Sequence, residues 1–332
     1  MTLIENQQDN QRSGLTADQF RAIEGAQLGD INDVDINDVI NKYIYNQIAE
    51  QPSYVEQYKR YLKQRWDVYD IDFTQDYKDW HENMTEAEKS SFLAIASGFH
   101  HGERQVEVEL PVFMLGGSED QKLFISSQIE DEARHTVFFD RFYHEAIGLE
   151  GDLMDVLDQS FEWVGETFIG PFGLLAYQAD ALLKNPDDLK LRVQYATNYM
   201  LWIEGVLAVS VMQITLRYAR QRKVLPGYYA GFTLTARDEA RHVQAGLRFL
   251  TEALEEDPTL IREVHDTLRT LLLMSSTSSQ YVAYEPIGWT RDDVQAMFIT
   301  QLVRKMNLIG LELPPDLAGM VQNISADNAI GG

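Results

Sequence analysis

Apolar residues recur at helical spacing through most of this chain. Five long stretches show the pattern, at about residues 151–184, 187–223, 227–255, 258–281 and 291–309. Asn185-Pro186 and Leu225-Pro226-Gly227 separate the first three, and strand-like alternation is scarce. Long helical stretches joined by short turns are typical of an antiparallel bundle. The pattern therefore predicts an all-α protein of about eight helices.

Two helix starts are marked by their capping residues. Thr85 and Glu88 have the spacing of a capping box, so a helix is predicted from there to about Leu115. Ser118 begins the next helix, which should end at Ile147, just before a glycine.

The two ends of the chain differ from its middle. Residues 1–36 are rich in Asn, Gln, Asp and Gly and are interpreted as a flexible or capping arm. A helix is predicted from about Asp38 to Gln64, although Pro52 should break it, and residues 67–80 form a short connector. We expect a single helical domain at 37–315 and a loose tail at 316–332.

Composition limits the classes of function. Hydrophobic residues make up 45% of the 332 positions, enough for a large core. There are 52 acidic and 28 basic residues, and the resulting net charge of −24 disfavours binding to nucleic acid or anionic membranes. Cysteine is absent, which excludes thiolate metal ligands. The polar start, Met1 to Gly14, lacks a signal core, and Glu204 interrupts the most apolar run, so we expect a cytoplasmic protein without a membrane span.

One pentapeptide, Asp-Glu-Ala-Arg-His, occurs twice, at 131–135 and 238–242. Helical positions three apart share a face, so Glu132 can reach the same point as His135, and Glu239 the same point as His242. Two Glu-x-x-His pairs, with one Glu from each of two other helices, form the ligand set of a dinuclear carboxylate site in a helical bundle.

Two further glutamates are candidates to complete this set. Glu204 lies in a strongly apolar segment, where a carboxylate is costly unless it is paired or binds a metal. Glu103 is our choice for the other helix, because Gly102 beside it leaves room for metals. Glu107, on the same helix face, is the alternative.

The ligand chemistry favours iron and manganese. Four carboxylates and two neutral imidazoles balance two divalent cations, and hard oxygen ligands suit Fe and Mn. Such a pair can bind and reduce O₂. Hydrolytic two-metal sites use similar ligands, but they usually lie in open clefts. Asp238 is the candidate to orient His135 through its second ring nitrogen, and Asp131 could instead pair with an arginine.

The order of these ligands resembles the radical-generating small subunit of ribonucleotide reductase, and most closely its ligand-binding oxidase branch. The resemblance covers roughly residues 64–255. It includes residues 66–74, which resemble the segment before the first ligand helix, and residues 99–106, which resemble the branch's Gly-Glu-x-x-Val. It implies a ferritin-like helical bundle with a dinuclear site in a four-helix core, one Mn and one Fe (or two Fe), and a long-chain fatty acid beside the metals.

The resemblance also assigns roles to three further residues. Tyr199 stands five residues before Glu204, where the oxidases have the tyrosine that forms an ether bond to a valine, here Val106. Phe139 stands where radical-bearing small subunits have their tyrosine. The resemblance therefore implies an oxidase with a Val106–Tyr199 crosslink.

Three functions remain open from the sequence. The first is the oxidase, with O₂, an apolar ligand and a homodimer as its partners. The second is a Mn/Fe or Fe/Fe small subunit of ribonucleotide reductase, which would also need a large subunit. Against it, the tail at 325–332 lacks an acidic, aromatic-tipped docking peptide. The third is a ferritin-like metal store, which would not need a buried tyrosine.

Overall fold

The chain folds into a bundle of long helices. A computed structural model describes residues 40–276 and 282–319, and every regular element in these two ranges is helical. The all-α, ferritin-like prediction is therefore confirmed. The α-helices are α1 (Tyr54–Gln64), α2 (Thr74–Lys78), α3 (Glu86–Leu115), α4 (Glu119–Phe142), α5 (Leu153–Ser160), α6 (Glu166–Lys184), α7 (Leu189–Ala196), α8 (Val209–Arg222), α9 (Pro226–Glu256), α10 (Ile261–Ser276) and α11 (Arg291–Leu308).

Shorter helical segments connect or extend these α-helices. Four of them have π-helical hydrogen bonding, at Ile40–Gln47, Asp79–Asn83, Tyr143–Ile147 and Thr197–Ala208. Four 3₁₀ turns lie at Val68–Asp70, Phe161–Trp163, Pro258–Leu260 and Glu285–Ile287. The segment Thr197–Ala208, hereafter the π segment, joins α7 to α8 without a break.

The predicted caps have the expected geometry. The Thr85 hydroxyl accepts from the Glu88 backbone N–H at 3.2 Å, and the Glu88 carboxylate accepts from the Thr85 N–H at 2.8 Å. Ser118 caps α4 in the same way. The helix that α4 begins ends at Ile147, before Gly148 in the left-handed conformation with φ of 92°. Both helix predictions are confirmed because they rest on local capping.

The stretch predicted at 151–184 is two helices rather than one. α5 ends in the 3₁₀ turn Phe161–Trp163, and the chain is extended at Val164 and Gly165 before α6 begins. The first predicted helix is also divided, on either side of Pro52, as expected. Its start at Asp38 and the last residues of the 258–281 stretch lie outside the described residues.

Four helices enclose the core. α3 packs against α4, α4 against α9, α9 against the π segment and α8, and α8 against α3. α6 covers α3 from outside, and α11 covers the π segment. The continuous helix Leu189–Arg222 is long and apolar enough to cross a membrane, but its apolar window is entirely buried in this core.

The predicted arm at 1–36 lies outside the described residues, as does most of the tail. Residues 315–319 form one helical turn, and Leu317 is fully buried. The division of the chain into arm, domain and tail stays a prediction.

Candidate metal centre

The structure brings the six predicted ligand residues to one place in the core. Each of the four enclosing helices contributes: Glu103 from α3, Glu132 and His135 from α4, Glu204 from the π segment, and Glu239 and His242 from α9. None is more than 4% exposed. Glu107, the alternative to Glu103, is half-buried and faces Arg104 at 3.8 Å instead.

The six residues form two overlapping groups. His135 Nδ1 lies 3.5 Å from Glu103 Oε2, 3.5 Å from Glu132 Oε2 and 3.4 Å from Glu239 Oε1. His242 Nδ1 lies 3.1 Å from Glu132 Oε1, 3.6 Å from Glu204 Oε1 and 3.5 Å from Glu239 Oε2. Glu132 and Glu239 therefore offer one oxygen to each group, as bridging carboxylates do.

Buried atoms without hydrogen-bond partners mark the space between these groups. They are the Nδ1 atoms of both histidines and one carboxylate oxygen on each of three glutamates: Glu103 Oε1, Glu204 Oε2 and Glu239 Oε2. Native proteins seldom leave buried polar atoms unpaired, because the desolvation is not compensated. Two cations at this point would satisfy all of them. Four carboxylates with two imidazoles fit Mn or Fe.

The carboxylates and imidazoles shift each other's protonation. Burial alone would lower the pKa of His135, but Glu103 and Asp238 raise it well above its ordinary value. Glu132 and Glu239 similarly raise the pKa of His242 despite its burial. Burial raises the pKa of Glu204 to about 8. Without metal, the histidines therefore carry protons that partly neutralise the acidic cluster.

Each histidine also contacts an aspartate from the opposite pentapeptide. His135 Nε2 lies 3.3 Å from Asp238 Oδ2, and His242 Nε2 lies 3.1 Å from Asp131 Oδ2. The sequence proposed this contact for Asp238, and its role in orienting His135 stays a prediction. The matching contact of Asp131 was left open by the sequence, which also allowed an arginine partner, and the structure has both.

The two pentapeptide arginines are the functional residues that sequence reasoning missed. Arg241 donates to Asp131 at 2.8 Å and to Asp238 at 2.9 Å. Arg134 donates to the same two carboxylates. Although burial raises the pKa of Asp238, these guanidinium groups hold it well below its usual value. The signal was available, because the arginine is duplicated along with the ligands.

An indole joins this network from outside the four-helix core. Trp66 Nε1 donates to Asp238 Oδ2 at 2.7 Å, and the ring is only 9% exposed. Asp238 thus connects Trp66 to His135, in a hydrogen-bonded chain that leads from the metal centre towards the protein surface.

The predicted reactive pair lines a cavity beside the carboxylates. The cavity has a volume of about 30 Å³ and contacts both Val106 and Tyr199. Tyr199 Oη donates to Glu132 Oε1 at 2.9 Å and accepts from Gln128 Nε2 at 3.0 Å. The same Gln128 amide donates to Glu204 Oε1 at 3.0 Å. The phenol is therefore fixed against a carboxylate that faces both histidines.

Two glycines of α3 let the rings of α6 close this cavity. A Cβ atom on Gly98 would lie 2.6 Å from the Phe168 ring, and one on Gly102 would lie 2.7 Å from the Phe172 ring. Gly102 was expected to leave room for metals, but the space it provides is filled by Phe172. The remaining lining is mostly apolar, with Ile203, Leu207 and Ala208 from the π segment.

Comparison with known proteins agrees with this architecture. Residues 43–297 match the family "Ribonucleotide reductase, small chain". An R2-like ligand-binding oxidase from Sulfolobus acidocaldarius superposes with a TM-score of 0.68 at 21% identity, over 80% of this chain and 94% of that one. A variant of an R2-like ligand-binding oxidase with anaerobically reconstituted Mn/Fe cofactor gives a TM-score of 0.66 at 22% identity, over 77% of this chain and 92% of the other.

Proposed function

We propose that this chain, which belongs to the ribonucleotide reductase small-chain family, is an O₂-activating oxidase with a dinuclear Mn/Fe centre. The observation that carries the proposal is the Tyr199 phenol, which donates to Glu132 inside the cavity that Val106 also lines. A metal store would not need an oxidisable side chain bonded to a bridging carboxylate.

Each residue of the centre has a distinct task in this proposal. Glu103 and His135 would hold one ion, Glu204 and His242 the other, and Glu132 with Glu239 would bridge them. When bound, the ions would provide the site of O₂ reduction. Asp131 and Asp238 accept hydrogen bonds from the Nε2–H groups, which would leave each Nδ1 lone pair free to bind an ion.

Tyr199 and Val106 would be the first groups to be oxidised. An ether forms between the Tyr199 oxygen and the Val106 β-carbon when the phenol O–H and the Val C–H bonds break. This loss of two hydrogens is a two-electron oxidation, for which O₂ is the terminal oxidant. Glu132 is placed to receive the phenol proton.

The apolar lining supports a ligand resembling a long-chain fatty acid. The cavity holds only about two water molecules at its present volume, since one needs about 10–15 Å³. A long acyl chain therefore requires Phe168 and Phe172 to move away from α3. The neighbouring structures are named ligand-binding oxidases, which supports the binding of a ligand beside the centre.

Metal content tests the ligand set. Replacing Glu204 or His242 with alanine should lower the metal content well below two ions per chain, because each removes a ligand of the same ion. Glu107→Ala is the matched control and should retain both ions. Elemental analysis after anaerobic loading with equal Mn(II) and Fe(II), then air, should find nearly one of each. Unchanged stoichiometry in the Glu204 and His242 variants would end the proposal, and exclusive di-iron loading would contradict the mixed centre.

Peptide mapping tests the oxidase chemistry. After aerobic loading, the intact chain should be lighter by the mass of two hydrogen atoms, and a peptide pair joining Val106 to Tyr199 should appear. Tyr199→Phe should bind metal normally without the mass loss. Unmodified peptides after complete oxidation of the metals would favour the second candidate function.

That second candidate is the small subunit of a ribonucleotide reductase. The hydrogen-bonded chain Trp66–Asp238–His135 favours it, because such a chain could pass an electron and a proton between the centre and a partner protein. Phe139 cannot hold a phenoxyl radical, so the oxidising equivalent would have to remain on the metals. The homodimer and the cytoplasmic location stay predictions for either function.

A further inference from the structure

Three aromatic rings stack between helix α3 and the protein surface. The His100 ring lies 4.7 Å from the Tyr143 ring, with 23° between their planes. Tyr143 in turn lies 6.1 Å from Trp163, with only 11° between the planes. His100 and Tyr143 are fully buried, whereas Trp163 is partly exposed. The rings therefore form a continuous π-stacked path from the core to solvent.

The inner end of this path reaches the helices that carry the metal ligands. His100 precedes Glu103 by three residues, a spacing that places Cβ atoms about 5–6 Å apart on one helix face. Its ring also lies 6.1 Å from Phe139, which follows His135 by one turn of α4. The stack thus begins one helical turn from a ligand on each of two helices.

His100 is an unusual residue for a buried position, where an apolar side chain would be expected. Neither ring nitrogen has a hydrogen-bond partner within residues 40–276 and 282–319, although the side chain is fully buried. Burial lowers the pKa of His100 to about 3, so the ring is uncharged at neutral pH. An apolar side chain of similar size would avoid the cost of two unpaired nitrogens. The unpaired imidazole instead stacks on the Tyr143 ring, with 23° between the two planes.

We propose that Trp163 is a one-electron port, whose indole donates an electron through Tyr143 and His100 to the oxidised metal centre. The proposal rests on the proposed function, which supplies the oxidant. The centre is reduced by one electron, and the indole radical cation loses its ring N–H proton to water. A soluble one-electron reductant then restores Trp163 from outside.

The hydrogen bonding explains why the radical forms on Trp163 and not on Tyr143. Among the residues that the structure describes, the Tyr143 oxygen forms a hydrogen bond only with the Ser97 hydroxyl, at 2.6 Å, which is too weak a base to take the phenol proton. Burial further raises the pKa of Tyr143 above its usual value. Trp66 is one competing indole, but it connects to the centre through Asp238 and lies outside this stack.

The experiment follows where oxidation appears when the full chain, loaded with Mn and Fe, is mixed with O₂. Freeze-quench EPR detects an indole radical, and peptide mapping measures oxygen addition at each tryptophan. We expect an indole radical and modification of Trp163 in the parent protein. Both should be lost in Trp163→Phe, and the oxidised centre should then persist several-fold longer when ascorbate is added. Trp289→Phe is the matched control, because Trp289 is also partly exposed and has no ring contact among the described residues.

Interrupting the stack separates transfer along it from simple surface oxidation. Tyr143→Leu and, if that variant fails to fold, His100→Leu should protect Trp163 from modification while metal content stays at the parent level. Two results would contradict electron donation by Trp163. One is modification of Trp163 to the parent level in Tyr143→Leu and His100→Leu, and the other is an indole radical that disappears only in Trp66→Phe. If O₂ leaves the metals reduced in every protein, the oxidase proposal fails and the port fails with it.

Discussion

At the scale of single residues, the duplicated pentapeptide supplies two layers of side chains: the proposed metal ligands, and a hydrogen-bonded group of residues that contacts the histidines. Its glutamates and histidines face the proposed metal position, while its aspartates and arginines form a ring behind the histidines. The ligand layer was predictable because helical spacing alone brings a Glu and a His to one face. The aspartates of the ring were also candidates from the sequence, whereas the partners of its arginines were not, since their hydrogen bonds cross between α4 and α9 and depend on how these helices pack.

Gln128 is a second residue that spacing could not reveal. It is fully buried, and its single amide nitrogen donates both to Tyr199 and to Glu204. Gln128→Leu should lower the free energy of unfolding by about 1–3 kcal/mol, because a buried hydrogen bond to a carboxylate is lost. It should also reduce the yield of the Val106–Tyr199 crosslink, since the phenol loses one of its two orienting contacts.

The control for this prediction is Gln213→Leu. Gln213 is equally buried, but its amide oxygen accepts a hydrogen bond from Tyr45 at 3.1 Å, remote from the phenol. Urea unfolding and quantitative peptide mapping measure the two effects. A loss of crosslink in Gln213→Leu as large as in Gln128→Leu would show that general destabilisation, and not the position of the phenol, is responsible.

At the scale of helices, the sequence was reliable wherever a local signal decided the outcome. Thr85, Ser118 and Gly148 mark helix ends through their own hydrogen bonds or backbone conformation, so their predictions are confirmed. The π segment lacks such a signal. Its wider turn carries both Tyr199 and Glu204, and a π-helix in this position is characteristic of functional sites. The π segment packs against α9 and α11, and apolar periodicity does not specify which helices pack together.

The start of α9 provides a test of how one helix is held in place. Asp76 accepts hydrogen bonds from the backbone N–H groups of Gly227 at 2.8 Å and Tyr228 at 2.7 Å, and it is fully buried. Asp76→Ala should lower the free energy of unfolding by about 3 kcal/mol, because two buried donors at a helix N-terminus lose their partner. Burial raises the pKa of Asp76 to about 7, so ionising this carboxyl group costs the folded protein stability, and the loss on Asp76→Ala should be larger below that pH than above it.

Asp152, an exposed N-cap, is the control for the buried Asp76. Asp152 also accepts from two backbone N–H groups, at 2.9 and 3.1 Å, but water can replace it at the start of α5. Asp152→Ala should therefore cost only about 1 kcal/mol. Equal losses in the two variants would mean that burial adds nothing to the Asp76 cap.

At the scale of the whole molecule, the protonation of the centre connects folding to metal binding. In the metal-free protein, the carboxylates raise the pKa values of His135 and His242 well above the ordinary value. A raised pKa contributes stability that is complete below the unfolded-state value, about 6.5, and is lost as the pH rises through the folded-state value. Metal binding has the opposite pH dependence, because each metal needs the Nδ1 lone pair that the proton occupies.

Metal uptake at neutral pH should therefore release more than about two protons per chain, one from each histidine and the rest from Glu103 and Glu204, whose pKa values are also raised. The apparent affinity should fall as the pH is lowered. Anaerobic calorimetry with Mn(II), in buffers of different ionisation enthalpy, measures the released protons from the slope of the apparent enthalpy. His135→Gln should release about one proton fewer. Glu107→Ala should match the parent protein, because Glu107 lies outside both ligand groups. An apparent enthalpy that is the same in every buffer would contradict the prediction, since it would mean that both histidines are already neutral before the metals bind.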